Sequence, residues 1–376
     1  MSKTLVQAPI RANHVGSFLR TERLKQARAD FKNKQIDHSA LKAVEKEEIK
    51  KIVKKQIEVG LKTITDGEFQ RSWWNLDFFV GLNGIDKVTV DEGVAFADGT
   101  KVRPESYVIN KQISGENHPF VEQFKTLQAI VDEVGDGSQV VKFTIPAPGV
   151  IMYRTVGELE KEVYPDTKEL FRDLGRAYKQ VVADLYIAGC RYIQFDETTL
   201  TTFTDPGFTS HMIEISGLTK EEILDSIVEA TDIALQDKPT DLLTAVHMCR
   251  GNFRSRYMHA DGDYGYVAPV FPRLNYDAFF LEYDTERSGG FEPLRHLQGT
   301  DKIAVIGIFT SKFGELEDAD QIKGRIKEAT QYLPLEQLAI SPQCGFASTE
   351  EGNELTEEEQ WNKIRHIINI AEEVWN

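Results

Sequence analysis

The stretch TKEEILDSIVEATDIALQDKPTDLLTAVHMC, residues 219–249, holds one complete helix-then-strand unit. Thr219 with Glu222 three residues on has capping-box spacing, and the amphipathic run to Leu235 predicts a helix. LLTAVHMC (242–249) then reads as a short strand, apolar and rich in β-sheet formers. The preceding strand is RYIQFDE (191–197), and similar runs recur outward on both sides: ANHVGS (12–17), LKTITDGE (61–68), VVKFTIP (140–146), DAFFLEYD (277–284), KIAVIGIF (302–309) and QLAISPQCG (337–345). Helical segments lie between most of them, at 39–59, 167–188, 316–332 and finally 356–375, where Thr356 and Glu359 repeat the capping pattern. Strands alternating with helices pair in parallel. About eight such units predict an α/β fold, a (β/α)8 TIM barrel, with a doubly wound open sheet as the alternative.

Two stretches depart from the alternation. Residues 73–136, after the second strand, are polar and β-rich with the turns DEG and ADG, which predicts an insertion at the barrel rim, built as a hairpin. Residues 250–275, after the fifth strand, are rich in Gly, Arg, Tyr and His. On a barrel both leave from strand C-termini, the catalytic face.

Composition narrows the function. The 376 residues carry 44 Lys+Arg against 60 Asp+Glu, a net charge of −16, which argues against a nucleic-acid or anionic-membrane partner. An apolar fraction of 41% is that of a globular chain with a large core, so the reading is a single domain over 1–376. With no signal peptide and no apolar run near the ~20 residues of a membrane span, the expected location is the cytoplasm, where thiols stay reduced. Cys190, Cys249 and Cys344 are then packing residues or ligands rather than a disulfide framework.

The strands end in residues unusual for buried runs: Ser17, Asp66 and Glu68, Asp196 and Glu197, His247 and Cys249, Glu282 and Asp284, and Cys344. A parallel barrel brings all of these to one mouth. His247 and Cys249, two apart on a strand, point to the same side; alone they fit two core residues as well as a ligand pair. With Glu282 and Cys344 they form a soft donor set suited to Zn²⁺. Two thiolates and a carboxylate make that site electron-rich, suited to ionising an incoming thiol rather than water, and so to S-alkylation. The carboxylates at the mouth suit an α-amino group, each one singly reading equally as a solvated rim charge.

NHVGSF (13–18), TDGE (65–68), KVRP (101–104), QFDE (194–197), VHMC (246–249), FLEYD (280–284) and SPQCG (341–345), in that order, resemble the C-terminal catalytic barrel of cobalamin-independent methionine synthase. The resemblance runs from about residue 12 to the C-terminus. It implies zinc held by His247, Cys249, Glu282 and Cys344, with Glu286 as a competitor for the carboxylate position. It also implies homocysteine bound by Gly16, Ser17, Glu68 and Asp196, with Glu68 and Asp196 as the catalytic pair holding its amino group. His14, beside the Gly-Ser, faces the pocket or hydrogen-bonds at the rim; Arg103 resembles a folate-contacting segment; Trp73 and Trp74 wall the donor site or cap the barrel edge.

The chain departs from that family in three ways. It has room for one barrel where the full-length synthase has two. IPAPG (145–149) replaces a Trp that stacks on folate, and FTSKFGE (309–315) lacks an Asp-x-His whose His donates a proton. The resemblance implies an S-methyltransferase like 5-methyltetrahydropteroyltriglutamate-homocysteine methyltransferase, acting on small molecules, with a methylfolate or another compound as methyl donor. Zinc-dependent alkyl transfer or C–S cleavage on another thiol conjugate, and a non-catalytic zinc or amino-acid binding protein, are the alternatives.

Overall fold

The unit at 219–249 forms as the sequence implies. Thr219 Oγ1 accepts from the Glu222 N–H at 3.2 Å and the Glu222 carboxylate accepts from the Thr219 N–H at 3.0 Å, which starts the helix Lys220–Leu235. The computed structural model describes residues 10–91, 93, 99, 101–256 and 263–375. Ten strands are described: β1 Thr63–Ile64, β2 Asn83–Thr89, β3 Glu105–Ser114, β4 Val140–Val141, β5 Phe143–Pro146, β6 Tyr192–Glu197, β7 Leu243–Met248, β8 Ala278–Glu282, β9 Ile303–Phe309 and β10 Leu338–Pro342.

β5 to β10 form one six-stranded sheet in sequential order, every pair parallel. Its register places Asp196 opposite His247 and Glu282 opposite Gly307, so the polar strand ends lie level along one edge. Beyond this sheet the pairing thins. β1 pairs in parallel with β4, and the third predicted strand is broken at Lys142 into β4 and β5. The first predicted strand contributes a parallel bridge from Ala12 to Ile340 in β10. Between that first run and β1 the contacts are mainly side-chain ones: Thr65 Oγ1 donates to Gly16 O at 2.6 Å and His14 Nε2 lies 2.8 Å from Thr63 O.

Strand alternation divides the interior. Tyr192, Ala245, Phe280, Val305 and Ala339 pack with Ile10 and Val15 in one inner cluster. His247 lies two residues beyond Ala245 and Glu282 two beyond Phe280, so period-2 geometry turns them to that same face. The other strand face packs on helices such as Thr167–Ile187, whose Leu170, Leu174, Val181 and Leu185 are buried.

Helices His38–Glu58, Thr167–Ile187 and Glu357–Trp375 fall where the periodicity puts them. The segment predicted at 316–332 is shorter, Ala319–Ala329, because Asp318 caps it by accepting from the Gln321 N–H. Helices Glu22–Lys32 and Pro206–Ser216 were not anticipated, and β7, β8 and β9 are joined by 3₁₀ turns rather than long helices. Within 73–136 lie the antiparallel hairpin β2–β3 and a helix, Phe120–Val134. The DEG and ADG turns fall largely outside the described residues, as do positions 257–262 of the 250–275 segment.

Candidate metal centre and substrate cavity

Two strand ends and two post-strand positions build the cluster. His247 lies in β7 with Cys249 just past its end, Glu282 closes β8, and Cys344 follows β10 by two residues. All four are buried, and their ligand atoms lie within 4.8 Å of one another. The Cys249 and Cys344 Sγ atoms are 3.8 Å apart, a contact between free thiols and far longer than the ~2.05 Å of a disulfide. His247 Nε2 is 3.7 Å from Glu282 Oε1, to which the Arg250 backbone N–H donates at 2.9 Å. Glu282 Oε2 is buried without a hydrogen-bond partner, an orphan acceptor of the kind a cation satisfies. Soft, buried and four in number, these donors fit Zn²⁺. Glu286 begins the turn Glu286–Ser288 and is not in the cluster, so the carboxylate is Glu282.

The electrostatics favour the ligating form at Glu282 and Cys344 and oppose it at His247 and Cys249. Burial pushes the Glu282 carboxyl up, but the His247 hydrogen bond and the Lys312 charge outweigh it and hold the group below its usual range. Burial likewise opposes charge on His247, yet hydrogen bonds to Asp196 and Glu282 raise it well above an ordinary histidine. The hydrogen bond from Cys249 draws the Cys344 thiol down to about 7, while Cys249 is pushed up by the same contact. A metal entering here must therefore displace a proton from His247 and from Cys249, while Glu282 and Cys344 stand close to their ligating forms.

The cluster opens onto a cavity of about 540 Å³. Ser17, Glu68, Asp196, His247, Cys249 and Cys344 all line it. Asp196 Oδ1 is 3.3 Å from His247 Nδ1, which ties the carboxylate to the cluster. Glu68 adopts φ 62°, a left-handed backbone that a non-glycine residue rarely takes, and its N–H donates to Asp66 Oδ1 at 2.8 Å. Burial pushes its carboxyl up to about 8, against Arg71 and Arg20. Gly16 has φ 137°, and a Cβ there would meet Thr144 Cγ2 at 2.8 Å. A Cβ on Gly345 would lie 1.9 Å from Ser17 Oγ, so the segment after β10 presses directly on the Gly16–Ser17 turn.

Two expected site residues stand apart from the cavity. His14 is buried with its ring on Thr63 O and against Phe18, 5.1 Å between centroids, because the first strand turns it toward β1. Arg103 pairs with Glu350 at 3.0 Å, donates to Ser72 O at 2.9 Å and stacks over Trp73 at 5.3 Å. Trp73 and Trp74 do line the cavity. Cys190 is a buried packing thiol, donating to Tyr192 O at 3.5 Å and pushed up to about 12 by burial.

Tyr107, Tyr153, His211, Asn252, Phe253 and Ser348, which no sequence motif marks, also line the cavity. Tyr153 ends the turn Pro148–Tyr153 that follows β5, the place of the absent Trp. Tyr107 comes from β3 in the hairpin, where Tyr107 and Ile109 are buried between more exposed neighbours.

Residues 10–373 match the family model described as the catalytic domain of cobalamin-independent synthase. The chain belongs to that family. Among members of the family, YxjG of Bacillus subtilis, an uncharacterized protein, is 43% identical over 370 residues, covering 98% of this chain and 95% of that one. A protein named methionine synthase from Saccharolobus solfataricus is 23% identical over 335 residues, 88% of this chain and 86% of that one. A solved Listeria monocytogenes structure, provisionally named a vitamin-B12 independent methionine synthase, superposes with TM-score 0.77 at 37% identity over 97% of this chain and 98% of that one. The B12-independent methionine synthase from Shewanella sp. W3-18-1, solved with selenomethionine, shares the fold with TM-score 0.73 at 19% identity, covering 96% of each chain. Among the described residues, no helix is long and apolar enough to cross a membrane.

Proposed function

We propose that the chain is a zinc-dependent S-methyltransferase that methylates the thiol of homocysteine to give methionine. The observation that carries this is one cavity shared by the His247–Cys249–Glu282–Cys344 cluster and the carboxylates of Glu68 and Asp196. His247, Cys249, Glu282 and Cys344 would hold Zn²⁺, which when bound supplies the Lewis acidity that ionises a thiol near pH 7.

In this reading Asp196 and Glu68 accept the substrate's ammonium, and the Gly16–Ser17 turn receives its carboxylate. Glu68 meets that ammonium as a carboxylate, so amino-group binding pulls a proton off a group otherwise half-protonated near pH 8. The substrate sulfur then forms a bond to the donor methyl carbon while the carbon–leaving-group bond breaks, a displacement that the fixed positions of the two substrates make nearly unimolecular. Trp73, Trp74, Tyr107, Tyr153 and Phe253 also line the cavity, and against these aromatic rings the methyl donor, a methylfolate or another carrier, would lie. His14 and Arg103 have other partners and take no substrate role here.

The scaffold we propose is one (β/α)8 barrel over residues 1–376 with the rim insertion at about 73–136, working in the cytoplasm. Ala12 against Ile340 and β1 against β4 support closure of the six-stranded sheet. The test is incubation of zinc-loaded protein with homocysteine and separate methyl donors, read by mass. Methionine with one donor supports the proposal; homocysteine bound without turnover for every donor refutes it.

A further inference from the structure

Lys142, at the break between β4 and β5, and Gln194, inside β6, are both fully buried beneath the cavity. Lys142 Nζ faces three oxygens: Gln194 Oε1 at 2.9 Å, Asn13 Oδ1 at 3.3 Å and the His14 carbonyl. An ammonium has three N–H donors and no acceptor, so this set uses every one of them. Burial lowers Lys142 to about 7 with Asp196 opposing, but an environment made only of acceptors, with Nζ 4.9 Å from the Phe280 ring centre, fits the charged form.

The ammonium fixes the amide of Gln194. With Oε1 committed to Lys142, the Nε2 group must face away, and its two N–H bonds reach Val15 O at 2.6 Å and Asp196 Oδ1 at 2.8 Å. Val15 precedes the Gly16–Ser17 turn, and Val15, Ser17 and Asp196 all line the cavity. One amide therefore spans the two sides of the amino-acid subsite. The same Oδ1 continues to His247 Nδ1 at 3.3 Å, which leaves Nε2, 3.0 Å from the Gln343 carbonyl and 3.7 Å from Glu282 Oε1, as the imidazole nitrogen on the cluster side.

Resting on the metal and amino-acid reading above, we infer that Lys142 and Gln194 are positioning residues. Their buried hydrogen-bond chain sets the separation of the Gly16–Ser17 turn from Asp196 and, through Asp196, the tautomer and ring orientation of His247. Outer partners of ligating histidines commonly contribute 10–100-fold in metal affinity, and in this buried chain every donor of the Lys142 ammonium and of the Gln194 amide has an acceptor.

The test uses the full chain as wild type, Gln194→Glu, Lys142→Met and the neighbouring control Ile193→Val, each checked for folding by thermal unfolding. Gln194→Glu keeps the side-chain shape, removes the N–H donors and sets a carboxylate against Asp196; Lys142→Met is an independent second variant should the first not fold. Readouts are the visible spectrum of the cobalt-substituted protein, zinc affinity by chelator competition, and homocysteine affinity by calorimetry. Expected are a shifted cobalt spectrum, zinc binding weakened at least about 10-fold and weaker homocysteine binding in both variants, with Ile193→Val like wild type. Wild type that takes up no metal overturns the metal reading and this inference together. Wild type that binds metal and homocysteine, beside folded variants with unchanged spectra and affinities, overturns this inference alone.

Discussion

The two sides of the cavity are built differently. The metal cluster rises from β7, β8 and the segment after β10, inside a sheet whose β6 to β9 pairs keep unbroken register and whose one shift, at Ser341–Pro342, lies just before Cys344. Gly16, Ser17 and Glu68 sit where pairing is reduced to the two residue pairs of β1 and an isolated bridge, on backbone at φ 137° and 62°. A metal's ligands must be held in one geometry, which regular strands do without strain. The opposite side places a carboxylate and a turn close to a ligand through left-handed backbone that ladder hydrogen bonding would forbid.

Removing ligands from the regular side should give the largest effect. His247→Ala and Cys344→Ala should each lose most of their zinc, measured by metal analysis after dialysis; full stoichiometry in both would remove the distinction between the two sides. Where the two sides meet, Gly345→Ala forces a methyl group against Ser17 Oγ, and overpacking of this kind costs about 1–3 kcal/mol, read as a lowered midpoint of denaturant unfolding. The same variant should weaken homocysteine binding while retaining zinc, which would separate the two sides functionally.

Glu68 gives a pH signature. Its folded pKa of about 8 lies above the ordinary 4.5, so the folded chain holds a proton that the unfolded chain has released between those values. Its contribution to stability therefore falls as pH rises from about 4.5 to about 8. Glu68→Gln should flatten that decline in unfolding free energy over the window; an unchanged slope would count against the burial argument. The smallest effect belongs far from both sides: Thr219→Ala should cost about 1 kcal/mol of stability, leaving metal and ligand binding intact.

Legibility in the sequence follows the same division. His247, Cys249, Glu282 and Cys344 were readable because strand period and strand ends are local properties, and parallel pairing brings the ends level. Helix 220–235 was readable from Thr219 and Glu222 alone. Of the two readings open for His14, the structure shows the hydrogen-bonding one, and its partner Thr63 depends on how the first run meets β1, a long-range packing detail. The ion pair of Arg103 was not legible because Glu350, its partner, is 247 positions away. Gln194 stood in plain view within QFDE, but its part in the core depends on Lys142, on a different strand, and no local pattern announces that. The cavity wall from Tyr107, Tyr153 and Phe253 comes from hairpin and loop segments without a decisive period.

The central claim is that the four-residue cluster is an open thiol-activating centre rather than a closed structural one. X-ray absorption at the zinc edge, with and without homocysteine, tests it most directly. The account predicts two sulfur neighbours from Cys249 and Cys344 in the free protein and a third on adding homocysteine. An unchanged sulfur count with homocysteine bound would contradict it.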